Sequence, residues 1–137
     1  MEKDLAARLG IRPGSKVCLL RPDEDTISRL SGRDINLIVN GLEENCDVIL
    51  YWIDQSEGIG EKMAFLQGKI KPDGQIWIVM PRKEVAAERK LNIDWNEVQK
   101  EALKTKLVDN KVVAINEEVY GTRFVVRKKY RKESTKC

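Results

Sequence analysis

The sequence predicts a three-layer α/β protein whose sheet is mostly parallel and closes on a C-terminal antiparallel hairpin, and three observations carry that expectation. Residues 48–53 and 75–80 are apolar runs with little or no polar alternation, as in strands covered on both faces. Between them Ile59, Met63, Leu66 and Ile70 recur at helical spacing and would lay one apolar stripe on the sheet. Two β-rich runs, 111–118 and 122–128, flank Tyr120-Gly121 and read as a hairpin with a glycine turn.

The other elements follow in chain order. Leu5, Ala6 and Leu9 form a short helical stripe ended by Gly10, and Ile11-Arg12-Pro13-Gly14 is a turn. Residues 16–20, KVCLL, are a first buried strand, stopped by Arg21-Pro22-Asp23 because proline cannot donate to a central ladder. Asp23 then caps a short helix with Ile27 and Leu30 inward. Residues 34–45 fit either a helix (Ile35, Ile38, Leu42) or a strand at 35–39 between Asp34 and Asn40-Gly41, and the strand is preferred. Its link to residue 46 is too short for a crossover helix, so it must be tight. Lys71-Pro72-Asp73-Gly74 is a turn into the 75–80 strand, Pro81 ends that strand, and 82–92 is a charged loop. Asp94 with Glu97 has the form of a capping box for a last helix, whose buried face is Trp95, Val98, Ala102, Leu103 and Leu107. By first residue, the expected strand order is Ile35, Lys16, Val48, Gln75, Thr122, Lys111.

At 137 residues the chain holds one core: residues 1–128 form a single α/β domain and 129–137 a basic, disordered tail. The last fifteen residues contain 7 of the 25 basic and 1 of the 22 acidic side chains, a balance of +6 against −3 for the rest. No apolar run approaches the roughly 20 residues of a membrane span. Met1-Glu2-Lys3-Asp4 is acidic where a secretory leader is basic and then apolar, so a cytoplasmic protein is expected. There is no histidine, which excludes histidine-dependent triads and removes the commonest metal ligand. Cys18, Cys46 and Cys137 show no paired spacing of a metal or redox site, and Cys18 reads as a buried small hydrophobe.

Several stretches together resemble the class I S-adenosylmethionine-dependent methyltransferase fold, a Rossmann-like architecture. LGIRPGSKVCLL (9–20) is similar to that family's lead-in and first strand, DVILYWI (47–53) to a central strand, and KIKPDGQIWIV (69–79) to the turn into its fifth strand. The closing helix and hairpin over 94–128 are similar to the family's last elements. More narrowly, Pro22, the Pro81-Arg82-Lys83 step and KLVDNKVVAINEEVYGTRFVVR resemble a family of short bacterial proteins of unknown function on this trimmed scaffold. That likeness implies a fold and no reaction. The chain departs from the methyltransferases where their cofactor lies: a glycine-rich turn follows their first strand, and here it reads Arg21-Pro22-Asp23-Glu24-Asp25.

In an open parallel sheet, ligands bind beyond the carboxyl ends of the strands. That rule nominates Arg21, Asp23, Asp54, Ser56, Arg82 and Lys83 as ligand-binding residues, the three cations for an anion, against the plainer reading of helix caps and a solvated rim. Gly58-Ile59-Gly60 offers a weak phosphate cradle or a loosened first turn. Tyr51, Trp52 and Trp77 read as core. In the tail, Lys128, Lys129, Tyr130, Arg131 and Lys132 could neutralise phosphates and stack a base. No catalytic residue, cofactor or metal is assigned. The expected function is a non-enzymatic binding or interaction module for a small ligand or a protein. A methyltransferase is the alternative and a nucleic-acid accessory protein the third reading. The unflanked strand at 35–39 also points to a homodimer through a sheet edge, and no membrane is involved.

Overall fold

A computed structural model describes residues 4–127, so the tail residues singled out above lie outside the described residues. The element order is α1 (Leu5–Arg8), β1 (Lys16–Leu20), α2 (Glu24–Leu30), β2 (Asn36–Val39), β3 (Cys46–Trp52), α3 (Ile59–Gln67), β4 (Ile70–Pro81), α4 (Lys83–Glu88), α5 (Trp95–Leu103), β5 (Leu107–Ala114) and β6 (Val119–Val126). One six-stranded sheet has the order β2-β1-β3-β4-β6-β5, as expected. The first four strands are parallel, and β6 runs antiparallel between β4 and β5.

The apolar runs are continuous because alternate residues serve opposite layers. On one face Cys18, Ile49, Ile76 and Ile78 pack with Met63 and Leu66 of α3 and Val98 and Ala102 of α5. On the other, Val17, Leu19, Leu50 and Trp77 pack with Leu5 of α1 and Leu30 of α2. A strand with polar alternation could not satisfy both layers. No helix among the described residues is long and apolar enough to cross a membrane.

Several boundaries differ from expectation, each for a tertiary reason. Ile70 does not extend α3 but opens β4 opposite Cys46; the step from Ile70 to Gln75 then faces only Cys46 to Val48, a bulge that absorbs the Lys71–Gly74 turn. The charged loop contains α4, whose Lys-Glu-Val-Ala-Ala-Glu sequence has helix propensity but buries no residue completely. Leu107 is not on the α5 face but pairs with Val126 as the first residue of β5. Tyr120-Gly121 is not the hairpin turn: both lie inside β6, and Asn116 makes the reversal by accepting from the amides of Glu118 (2.8 Å) and Val119 (3.0 Å). Gly121 is required by close approach instead, since a Cβ there would lie 3.1 Å from Trp77 Cε3.

The tight link after β2 crosses the sheet as a loop. Leu42 and Ile38 pack on the core where a crossover helix would otherwise lie. Beneath them Cys18 Sγ and Cys46 Sγ are 2.9 Å apart, both buried, and Cys46 Sγ lies 3.0 Å from the Glu43 carbonyl it donates to. Cys18 is the buried hydrophobe expected, but its pairing with Cys46 across neighbouring strands was invisible in their 28-residue separation. Burial, then the contact with Cys18, pushes the Cys46 thiol up to about 12.

Candidate functional site

The chain leaves β1 through α2 toward β2 and leaves β3 through α3 toward β4, so the topological switch point lies between the carboxyl ends of β1 and β3. Arg21, directly after β1, sits at φ 60, a left-handed conformation that glycine adopts freely and arginine only at a cost. Its amide donates to Asn40 Oδ1 at 3.1 Å, and Asn40, just past β2, is itself left-handed at φ 54. The Arg21 guanidinium then reaches over the crevice to Asp54, with Nη2 3.4 Å from Oδ2. The left-handed turn that a glycine-rich loop would supply is therefore kept, with a long side chain laid across the opening. Both partners are more than half exposed, so the ion pair contributes at most about 1 kcal/mol. The crevice beneath, over Tyr51 and Ile53, holds only about 140 Å³.

The other strand-end residues divide between structure and surface. Asp23 caps α2, accepting from the Thr26 amide at 2.8 Å. Ser56 caps no helix: it is buried, its hydroxyl takes the Asp94 amide at 2.7 Å, and it fastens the loop after β3 to the start of α5. That bond replaces the return half of the expected capping box, although Asp94 does cap α5 through the Asn96 amide at 3.0 Å. Arg82 donates from Nε and Nη2 to the Asn116 carbonyl at 3.1 and 2.7 Å, so its guanidinium braces the hairpin. Lys83 is exposed, and its side chain makes no ion pair or hydrogen bond among the described residues. The six residues thus do not converge: Arg21 and Asp54 meet, Asp23 caps α2, Ser56 and Arg82 are structural ties, and Lys83 stands apart.

Lys83 stands beside a hollow of about 620 Å³ beyond the carboxyl end of β4, bounded by α4, the loop after it, the start of α5 and Tyr120 of β6. Met80 and Pro81 are buried beneath it, while Leu91, Ile93, Trp95 and Tyr120 are only half-buried and line it. Burial raises the Tyr120 hydroxyl above its ordinary range. The sequence hid this site because Trp95 read as core, Tyr120 as a turn residue, Leu91 fell inside the charged loop, and Ile93 lay between that loop and the Asp94 cap. Two apolar residues spaced by one, Leu91 and Ile93, at the end of that loop were the available signal.

A wider, mostly polar cavity of about 700 Å³ lies at the opposite end of the sheet, where strands 1, 3 and 4 begin, between Arg12, Asp47, Gln75 and Arg123. It is the larger space, but it is at the wrong end for the strand-end rule, and Gln75 and Arg123 are committed to Gly10 and Asn110. At the start of α3, Gly58 is left-handed at φ 77, and Gly60 lets α5 approach, since a Cβ there would meet Glu101 Oε1 at 2.8 Å. Glu57, Glu61, Glu97 and Glu101 surround that space and oppose a phosphate. Trp77 is fully buried with its indole N–H on Gln75 Oε1, and Trp52 is buried, whereas Tyr51 is half-exposed beneath the Lys62 ammonium at 5.6 Å. No group of three metal-ligating side chains occurs among the described residues.

Known proteins resemble this chain chiefly in fold. A Sulfolobus solfataricus protein classed provisionally as a type 11 methyltransferase superimposes with a TM-score of 0.65 at 13% identity, over 90% of each chain. A TehB-like S-adenosylmethionine-dependent methyltransferase from Corynebacterium glutamicum gives 0.56 at 12%, covering 88% of this chain and 85% of that one. Fibrillarin from Aeropyrum pernix, solved with natively bound S-adenosyl-L-methionine, gives 0.57 at 13%, covering 83% and 67%. At such identities the likeness shows the fold alone, and the fold is the methyltransferase-like, Rossmann-like one expected. Among curated proteins none matches. The model of one family, described as protein of unknown function (DUF3052), matches residues 6–128.

Proposed function

We propose that this chain, which belongs to the DUF3052 family of proteins of unknown function, is a binding module built on a methyltransferase-like scaffold whose cofactor crevice is closed. Arg21 is the observation that carries the reading. It occupies the left-handed turn after β1, bridges to Asp54, and leaves about 140 Å³ where a cofactor of this size needs a cleft of about 300 Å³ or more. Pro22 removes one backbone donor from the same turn, and Asp23, Glu24 and Asp25 oppose a ligand carboxylate.

An S-adenosylmethionine-dependent methyltransferase is the second reading. The solved structures support it more than they support a non-enzymatic module, because over most of this chain's length two of them are named as methyltransferases and the third holds S-adenosyl-L-methionine. Against it stands the geometry of one crevice, and a shared fold does not carry a shared site. Calorimetric titration with S-adenosylmethionine and with its demethylated product separates the two. The binding-module reading predicts no heat up to about millimolar ligand, whereas a dissociation constant in the low micromolar range puts the methyltransferase first.

A further inference from the structure

We propose that the hollow beside Lys83 is a binding site for a small aromatic monoanion such as an aryl carboxylate. The inference deepens the reading of the chain as a binding module and rests on it. Size comes first: about 620 Å³ lies within the range that encloses small ligands, more than four times the crevice beneath Arg21, and most of the hollow's lining is apolar. The walls are preformed. Trp95 is held against Phe124 with ring centroids 6.3 Å apart, and Ile93, Trp95 and Tyr120 pack on the buried core while remaining half-exposed toward the hollow. Half-buried aromatic and aliphatic faces around one concavity favour a flat apolar body.

Two polar groups select what that body carries. The nearest partner of the Tyr120 hydroxyl is Met80 Sδ at 4.0 Å, a weak acceptor at long range, so its proton is available to an oxygen of a ligand. Lys83 supplies at the rim a positive charge that has no partner among the described residues. Asp94 also borders the hollow, but its carboxylate faces the α5 amides, where it accepts from Asn96, and so offers a cationic ligand less than Lys83 offers an anion. An apolar cavity with one donor and one cation complements an aromatic ring bearing a single negative group.

The test uses 2-naphthoate and its neutral analogue 2-naphthamide, followed by calorimetry and tryptophan fluorescence on the full chain. Naphthoate should bind one per chain with a submillimolar dissociation constant, and the amide about fivefold more weakly, the most that an exposed ion pair contributes. Lys83→Ala, at an exposed position, should bring naphthoate down to the amide's affinity and leave the amide unchanged. Ala86→Phe, filling the hollow from α4, should abolish both. Absence of saturable naphthoate binding to millimolar concentration overturns the proposal, as does binding that ignores Lys83→Ala or survives Ala86→Phe. A parallel titration with S-adenosylmethionine keeps the failures distinct: cofactor heat removes the binding-module reading, while the naphthoate series bears on the hollow alone.

Discussion

Replacing Gly121 by alanine tests whether the β6 glycine serves packing or turning. The residue lies opposite Val79 on one side and Val113 on the other, in the middle of the sheet. A Cβ there would be 3.1 Å from Trp77 Cε3 and 3.4 Å from Ile115 Cδ1, whereas carbon atoms settle at about 3.5–4.0 Å. The indole cannot retreat freely, because it is fully buried and its N–H is held by Gln75 at 3.1 Å. Overpacking of this kind costs about 1–3 kcal/mol, and removing a strand glycine returns about 0.5–1 kcal/mol. At mid-range values the net expectation is a loss of about 1 kcal/mol, read in urea as a lower midpoint at unchanged slope. Trp77→Phe removes the offending part of the ring, so the double variant should fall short of additivity by about 1 kcal/mol. A neutral or stabilising Gly121→Ala, or strict additivity with Trp77→Phe, would refute the close-approach reasoning.

Other substitutions probe the remaining ties. Ser56→Ala strands the Asp94 amide and should cost about 1–2 kcal/mol, slightly more than the roughly 1 kcal/mol lost when Asp94→Ala removes only the α5 cap; equal retention of stability in denaturant melts would mean the loop-to-helix fastening is inert. Ile49→Asp places a carboxylate in a strand covered on both faces and should abolish folding by circular dichroism. Burial alone would raise the Asp47 carboxyl, but the Lys16 amide at 2.8 Å and the Lys71 ammonium at 3.0 Å outweigh it and hold it below its ordinary range. A depressed folded-state value means stability that is present above the unfolded carboxyl's range and lost as pH falls through the folded one. Asp47→Asn should therefore cost about 0.5–1 kcal/mol at neutral pH, a difference that vanishes as pH falls through the folded carboxyl's lowered range, and a gap that persists once that carboxyl is protonated would contradict the assignment.

Local chemistry made much of the fold legible. The doubly covered strands announced themselves as apolar runs, Asp23 and Asp94 marked their helices, and Gly10 ended α1 with φ 72. What stayed hidden depends on partners distant in sequence. Gly121 looks like a turn residue until Trp77 is placed against it, and Ser56 looks like a cap until Asp94 arrives from 38 residues away. Arg82 reads as a rim cation until the hairpin offers the Asn116 carbonyl. Helix α4 escaped because six residues without a buried stripe carry no periodic signal. The absence of glycine after β1 was legible, but not that Arg21 would keep the left-handed turn and span the crevice to Asp54.

The closed crevice is tested most directly by amide-resolved magnetic resonance during addition of S-adenosylhomocysteine to about 1 mM, where binding would be worth only about 4 kcal/mol. The account predicts no saturable shift at Arg21, Asp54 or Gly58, the residues that border the opening. Saturable shifts confined to those amides, at micromolar ligand, would contradict it.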